Sequence, residues 1–150
     1  MEKNIEILIH ELSFRVRLYR LLTSAESKIE DLTDRELLIL EIISIKENMS
    51  ISDIAALYPK VSGSTISTTI TKLWKDKKLV NKTILPENQR VTIVNLTAKG
   101  KQVVEQIKKT DAMVYSTITK SFDIPIDYNE FIENIIERSI EFFDRELGLR

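Results

Sequence analysis

Residues 85–100, LPENQRVTIVNLTAKG, pass from a short polar loop into a run of β-branched residues and then into the start of a helix. The run before the loop, LVNKTIL at residues 79–85, is also rich in β-branched residues. Two such runs around PENQ predict a β-hairpin whose loop is slightly longer than the minimum. Arg90 should then stand at the tip of the hairpin, beside Asn88 and Gln89.

The segment before this hairpin, GSTISTTITKLWKDKK at residues 63–78, has the periodicity of a helix. Ile66, Ile70 and Leu73 form one narrow apolar stripe, with Trp74 at its edge. The rest of the helix is polar, and its short hydroxyl side chains would let a backbone approach DNA closely and meet phosphates or base edges. The predicted DNA-contacting residues are Ser64, Thr65, Ser67, Thr68, Thr71, Lys72 and Lys75.

Capping residues predict where the helices before the hairpin begin. Thr33 stands three residues before Glu36, which is the capping-box pattern, and Ser50 with Asp53 repeats it. Ser62 can cap the polar helix. A short helix, a turn, a polar helix and a hairpin follow one another as in a winged helix-turn-helix. The predicted fold is therefore mainly α-helical with a small β-hairpin wing.

After the hairpin, Thr97 is placed to cap a long helix that continues to about Phe122, before Pro125 interrupts it. Gly100 falls in the first turn of this helix, where glycine costs about 1 kcal/mol relative to alanine. We expect that its missing side chain allows close packing against the hairpin.

The net charge of −1 hides an uneven distribution of charge. From Pro59 to Lys101 there are nine cationic and two acidic residues, a net charge of +7, which leaves −8 for the rest of the chain. A basic segment between acidic flanks is typical of nucleic-acid binding. Arg90 would enter the minor groove, whose negative potential attracts guanidinium groups, while Asn88 and Gln89 bond phosphate or sugar oxygens. The alternative is a winged-helix protein-interaction module without specific DNA binding, in which the same cations form a solvated face.

The composition also excludes several functions. A chain without cysteine has no disulfide, iron–sulfur cluster or thiolate zinc site, and its single histidine, His10, makes a histidine-rich metal site impossible. With no glycine-rich phosphate loop and no nucleophile beside a base, we expect no catalytic residue, metal or cofactor, and therefore no enzyme. No apolar run approaches the ~18 residues of a membrane span, and no signal peptide is apparent, so no membrane contact and a cytoplasmic location are expected.

The two ends of the chain predict a homodimer. The first helix, from about Glu2 to Leu22, has apolar side chains on two opposite faces, so it should lie between two bodies. The last helix, YNEFIENIIERSIEFFDREL at residues 128–147, has too broad an apolar stripe for a single contact. Left uncovered, these stripes would form a large exposed apolar patch. A larger monomeric core is the alternative.

The hairpin region also carries a family resemblance. NQRVTIVNLTAKG, residues 88–100, resembles the wing signature of the multiple antibiotic resistance regulators, the MarR family, which reads D-x-R, a strand, and then L-T-x-x-G. Residues 50–80 are similar to the family's helix-turn-helix, and the resemblance covers essentially the whole chain. The matching positions are Asn88, Gln89 and Arg90 for D-x-R, and Leu96, Thr97 and Gly100 for L-T-x-x-G.

This resemblance implies a transcriptional regulator that binds double-stranded, pseudo-palindromic DNA as a homodimer. It further implies a repressor that a small aromatic or anionic ligand releases from DNA. Within the chain of residues 1–150, residues 31–100 would form the winged DNA-binding lobe, and residues 1–30 and 101–150 the helical dimerisation region.

The resemblance also implies a ligand site between the dimer arms and the DNA-binding lobes. In the first helix, His10, Phe14 and Arg17 stand about one turn apart and could present a ring and a cation to an aromatic acid. The alternative is that this face only packs in the dimer. Without cysteine, thiol oxidation cannot be the switch.

Three positions depart from the family pattern. Asn88 stands in place of the usual Asp, so an ion pair that orients the wing arginine becomes a neutral hydrogen bond. Lys78 stands where a glycine usually ends the recognition helix. The turn LYPKVSG, residues 57–63, is one residue longer than usual and leaves the register of the recognition helix open.

Overall fold

The computed structural model of this protein describes residues 5–23, 31–120 and 126–149. The predicted start of the first helix at Glu2, the predicted end of the fifth near Phe122, and Pro125 lie outside these residues. Within the described ranges the elements are α1 (Ile5–Thr23), α2 (Asp34–Ile45), β1 (Met49–Ser50), α3 (Ile51–Ala56), α4 (Gly63–Lys75), β2 (Val80–Leu85), β3 (Asn88–Leu96), α5 (Ala98–Lys120) and α6 (Ile126–Leu147).

The predicted caps are confirmed at the starts of α2, α3 and α4. In the box before α2, the Glu36 carboxylate accepts from the Thr33 N–H at 2.7 Å, and the Thr33 hydroxyl accepts from the Glu36 N–H at 3.3 Å. The Ser50 box before α3 has both of its hydrogen bonds at 3.0 Å. The Ser62 hydroxyl accepts from the Thr65 N–H at 3.2 Å. Each hydroxyl satisfies a backbone donor that the first helical turn leaves unpaired.

The sheet has three antiparallel strands in the order β1-β3-β2, one strand more than the sequence predicted. Met49 and Ser50 of β1 pair with Val94 and Ile93. Two residues are too short for an alternating pattern, so this strand exists only because β3 lies beside it. The Asn95 side chain of β3 holds Asn48, the residue before β1, in place. Its amide oxygen accepts from the Asn48 N–H and its amide nitrogen donates to the side-chain oxygen of Asn48, both at 2.9 Å.

The hairpin turn is shorter than predicted. Only Pro86 and Glu87 separate the strands, because Asn88 already pairs with Leu85. The next pair is Ile84 with Thr92, so residues 89–91 bulge out of the ladder. Arg90 lies in this bulge and not at the tip of a loop, which corrects the prediction from sequence. A local hydrogen bond from the Arg90 N–H to the Asn88 side chain, at 3.2 Å, competes with the ladder here.

The chain divides into two compact units, residues 1–31 with 105–124 and residues 32–104 with 125–150. The core of the second unit consists of apolar side chains from its helices and sheet, and the predicted stripe of α4 is buried within it. The proposed assignment of residues 1–30 and 101–150 to dimerisation stays a prediction. The most deeply buried core residues are Ile39, Leu40, Ile43, Ile54, Ile66, Ile70, Leu73, Val80 and Val94.

Gly100 is packed as predicted. A Cβ at this position would overlap the carbonyl oxygen of Leu79, directly before β2, and would lie 3.3 Å from a methyl carbon of Leu96 in β3. The absence of a side chain therefore lets the first turn of α5 pack against Leu79, just before β2, and against Leu96 of β3. Thr97 caps this helix through a 3.0 Å hydrogen bond from the Gly100 N–H.

Candidate nucleic-acid interface

Helix α4 buries its narrow apolar stripe and leaves a polar face at the surface. Ser64, Thr68, Lys72 and Lys75 lie on that face, and the structure leaves Ser64, Thr68 and Lys75 exposed. The side chain of Lys72 is 52% exposed. The other three predicted contact residues, Thr65, Ser67 and Thr71, are half-buried along the two edges of that face. All seven side chains thus lie on one helix in one compact unit, and their role as DNA contacts stays a prediction.

The hydroxyls of Thr68 and Thr65 are already hydrogen-bonded within the helix and its cap. Thr68 donates to the carbonyl of Ser64 at 2.9 Å, and the Thr65 hydroxyl lies 2.7 Å from that of Ser62. A hydroxyl that donates within its own helix keeps lone pairs free to accept. Thr68 can accordingly accept from the amino groups that adenine and cytosine present in the major groove.

The charge of Lys72 is balanced by a side chain of α2. Its ammonium nitrogen lies 3.7 Å from one oxygen of Glu36, and that of Lys77 lies 3.2 Å from the other. Glu36 is 1% exposed. Burial alone would raise the pKa of its carboxyl, but hydrogen bonds from Thr33 and the Lys77 ammonium bring the pKa below its ordinary value.

The sequence indicated only the capping role of Glu36. The two lysines that Glu36 binds, Lys72 and Lys77, lie 36 and 41 residues further along the chain. The Glu36 carboxylate therefore ties the last turn of α4, and Lys77 just after it, to the start of α2. The exposed part of Lys72 retains access to a phosphate.

After α4 has ended at Lys75, the connection to β2 has an unusual backbone conformation at Lys78. Its φ of 58° is in the left-handed region, which glycine adopts at lower cost. The N–H of Leu79 donates to the carbonyl of Leu73 at 2.9 Å and closes the end of the helix. A lysine therefore takes the conformation for which a glycine is usual at this place in the MarR family pattern.

The predicted wing residues Asn88, Gln89 and Arg90 are all exposed at the start of β3. Among the residues that the structure describes, the Arg90 guanidinium makes no ion pair. The neutral hydrogen bond predicted for Asn88 is present, but it goes to the Arg90 backbone and leaves the guanidinium available. The bulge thus presents a cation on a short, locally stabilised turn.

Lys82 and Trp74, which the sequence interpretation did not assign to this surface, join α4 to the wing. Lys82 of β2 donates to the Thr71 hydroxyl at 3.3 Å, and its ammonium lies 5.2 Å from the centre of the Trp74 ring. The ammonium of Lys75 lies 5.5 Å from the same ring centre. The sequence contained a signal for the position of Lys82. Side chains alternate along a strand, so Lys82 lies on the same side of β2 as Val80, the side that faces the core.

The residues predicted to bind a ligand, His10, Phe14 and Arg17, lie on one side of α1 and are exposed. Their role stays a prediction. Among the described residues, no group of three or more histidine, aspartate and glutamate side chains is arranged to hold a metal ion. None of the described helices is long and apolar enough to cross a membrane.

Comparisons with known proteins agree with this geometry. Residues 32–100, which contain α4 and the wing, match the family model of a winged helix DNA-binding domain. FabT of Streptococcus pneumoniae, solved in complex with DNA, superposes with a TM-score of 0.71 at 15% identity over 94% of this chain and 96% of that chain. MarR superposes with a TM-score of 0.68 at 22% identity over 98% of this chain and 95% of its own.

The chain has the MarR fold. A third structure with this fold is MepR of S. aureus bound to ethidium bromide, with a TM-score of 0.62 and 17% identity over 95% of this chain and 98% of that one. No curated protein matches the sequence. The MarR fold predicted from the wing signature is thus confirmed.

Proposed function

We propose that this protein is a sequence-specific DNA-binding transcriptional regulator of the MarR type. The observation that carries the proposal is the exposed polar face of α4 together with the exposed Arg90. Both lie within the residues 32–100 that match a winged helix DNA-binding domain and within the segment 59–101 of net charge +7. Helix α4 would enter the major groove and Arg90 the adjoining minor groove. Such a protein would act on cellular DNA in the cytoplasm.

The active form would be a homodimer built from the terminal helices. In the described part of α1, large apolar side chains such as Leu12 and Phe14 are 52% and 53% exposed. In α6, Phe131 is 63% and Phe143 58% exposed. A two-fold dimer that covers these side chains would present two α4 helices to half-sites about one helical turn apart, which suits a pseudo-palindromic operator.

The proposed output is repression that a small molecule relieves. A dimer bound across an operator would block access to the DNA it covers. MepR, which shares the fold, has been solved with the aromatic compound ethidium bromide bound, and this supports an aromatic ligand here as well. On α1, His10, Phe14 and Arg17 would supply a ring for stacking and a cation for an acidic group.

The experiment that tests the proposed function is selection of binding sites from a library of random duplexes, read out at two salt concentrations. Enrichment of a palindrome with half-sites about one turn apart would support the regulator and identify its operator. Weak binding to all sequences that disappears at moderate salt would contradict it and favour a protein-interaction module. Aromatic acids and aromatic cations can then be tested for release of the selected operator, with Phe14→Ala as the variant expected to respond least.

A further inference from the structure

The junction between α4 and the wing contains a cluster of cations around one aromatic ring. The ring is that of Trp74, which is 38% exposed and is the single tryptophan of the chain. Lys75 approaches it from α4 and Lys82 from β2. Because both ammonium groups lie within 5.5 Å of one ring centre, they are at most about 11 Å apart.

These two cations are held in place without being neutralised. The half-buried Lys82 donates one of its three N–H groups to Thr71 and makes no other hydrogen bond with the part of the chain that the structure describes. Among the described residues, neither Lys75 nor Lys82 forms an ion pair with a carboxylate. By contrast, Lys72 and Lys77 share the buried Glu36 carboxylate. The junction therefore keeps two positive charges available for an anion.

The location of the cluster determines which anion it meets. If α4 lies in the major groove and Arg90 in the adjoining minor groove, the sugar–phosphate backbone between the two grooves must pass between α4 and the wing. Lys82 stands at that junction, bonded to the helix while it belongs to the wing. Each DNA strand carries one phosphate per ~3.4 Å of helix axis, so two ammonium groups at most about 11 Å apart would face the same short run of phosphates.

We propose that Lys82, Lys75 and Trp74 form a phosphodiester-binding site that grips the DNA backbone between the two grooves. This inference rests on the proposed DNA binding and adds two residues, Lys82 and Trp74, to its contact surface. The lysines supply the charge, and the Trp74 ring holds both ammonium groups in position through cation–π attraction. The hydrogen bond to Thr71 fixes Lys82 against α4, so the wing and the recognition helix engage the backbone together.

The test is the salt dependence of binding to a fluorescein-labelled duplex, measured by anisotropy for the full chain. The slope of log Kobs against log salt is negative, and loss of one phosphate contact makes it shallower by about 0.9. Lys82→Met should therefore flatten the slope by about 0.9 and Lys75→Met/Lys82→Met by about 1.8. Lys82→Arg keeps the charge and should keep the slope. Lys108→Met removes a cation from α5 that is paired with Glu105, and it should leave the slope unchanged.

The emission of Trp74 gives an independent readout, because no other tryptophan contributes to it. We expect duplex to change this emission with the same midpoint as the anisotropy, and no change at saturation would overturn the site. A Lys82→Met variant that binds more weakly with an unchanged slope would overturn the phosphate contact and make Lys82 a positioning residue only. Thermal unfolding of that variant shows whether its fold is kept.

The two proposals fail in different ways. Wild-type protein without salt-dependent affinity for any duplex would overturn the proposed function and this site together. Wild-type protein that binds duplex with a steep slope, while Lys82→Met keeps that slope, would overturn the phosphodiester site alone.

Discussion

A single buried carboxylate connects helix α2 to helix α4. Glu36 closes the capping box of α2 and also binds Lys72 and Lys77 at the end of α4. The folded-state pKa of its carboxyl is lowered, so the stability that it contributes is present above its unfolded pKa, about 4.3, and is lost as the pH falls through the folded value.

Glu36→Gln should therefore destabilise the protein at neutral pH and have less effect in acid. Glutamine keeps the capping box but removes the charge, so we expect a loss of about 1–3 kcal/mol at pH 7, measured by denaturant unfolding across pH. Asp53→Asn is the matched control, because Asp53 closes the same kind of box at Ser50 without an ion pair to α4 among the described contacts. Equal pH profiles for wild type and Glu36→Gln would contradict the role of the ion pairs.

At the scale of single elements, the connection from α4 to β2 carries backbone strain. Lys78 adopts a φ of 58°, which costs a residue with a side chain about 1–2 kcal/mol. Lys78→Gly should stabilise the protein by about 1 kcal/mol, after part of the gain is offset by the greater freedom of glycine in the unfolded chain. The measurement is the free energy of unfolding in urea.

The control for this substitution is Asp76→Gly, two residues earlier. Asp76 has helical dihedral angles, φ −88° and ψ −45°, so glycine relieves no strain there and should destabilise. Stabilisation by both substitutions, or by neither, would show that the left-handed conformation of Lys78 does not lower the stability of the wild-type protein.

The wing is the second element whose role can be isolated. Arg90→Ala should cost roughly 1–3 kcal/mol of affinity for the selected operator and leave unfolding unchanged, because the side chain is exposed. Competition binding against the operator measures this loss. Asn88→Ala removes the acceptor that holds the Arg90 N–H, so it should weaken binding without any change of charge. Full affinity in Arg90→Ala would remove the wing from the mechanism.

At the scale of the whole molecule, the proposed dimer would cover the exposed apolar side chains of α6. Ile135 is 50% exposed in the single chain, so Ile135→Glu would place an unpaired charge in the interface. We expect dimerisation to weaken by about two orders of magnitude or more, measured by sedimentation equilibrium. Glu137→Gln, on the polar side of the same helix, should leave the dimer intact, and a wild type that sediments as a monomer would contradict the proposed dimer.

Local interactions made much of this protein predictable from sequence. Capping boxes join residues three apart, and the buried stripe of α4 repeats every three or four residues, so Thr33, Ser50, Ser62 and the Ile66–Ile70–Leu73 stripe are recognisable without a structure. The net charge of +7 between residues 59 and 101 is likewise a property of the sequence alone.

Only the tertiary structure decided the features that depend on distant residues. The bond of Lys82 to Thr71 spans 11 positions, that of Lys77 to Glu36 spans 41, and that of Asn48 to Asn95 spans 47. The register between β2 and β3, which moves Arg90 into a bulge, is likewise set by which residues pair across the two strands. A local pattern does not encode which of many lysines meets a given carboxylate or ring, because that choice is made when the core brings the elements together.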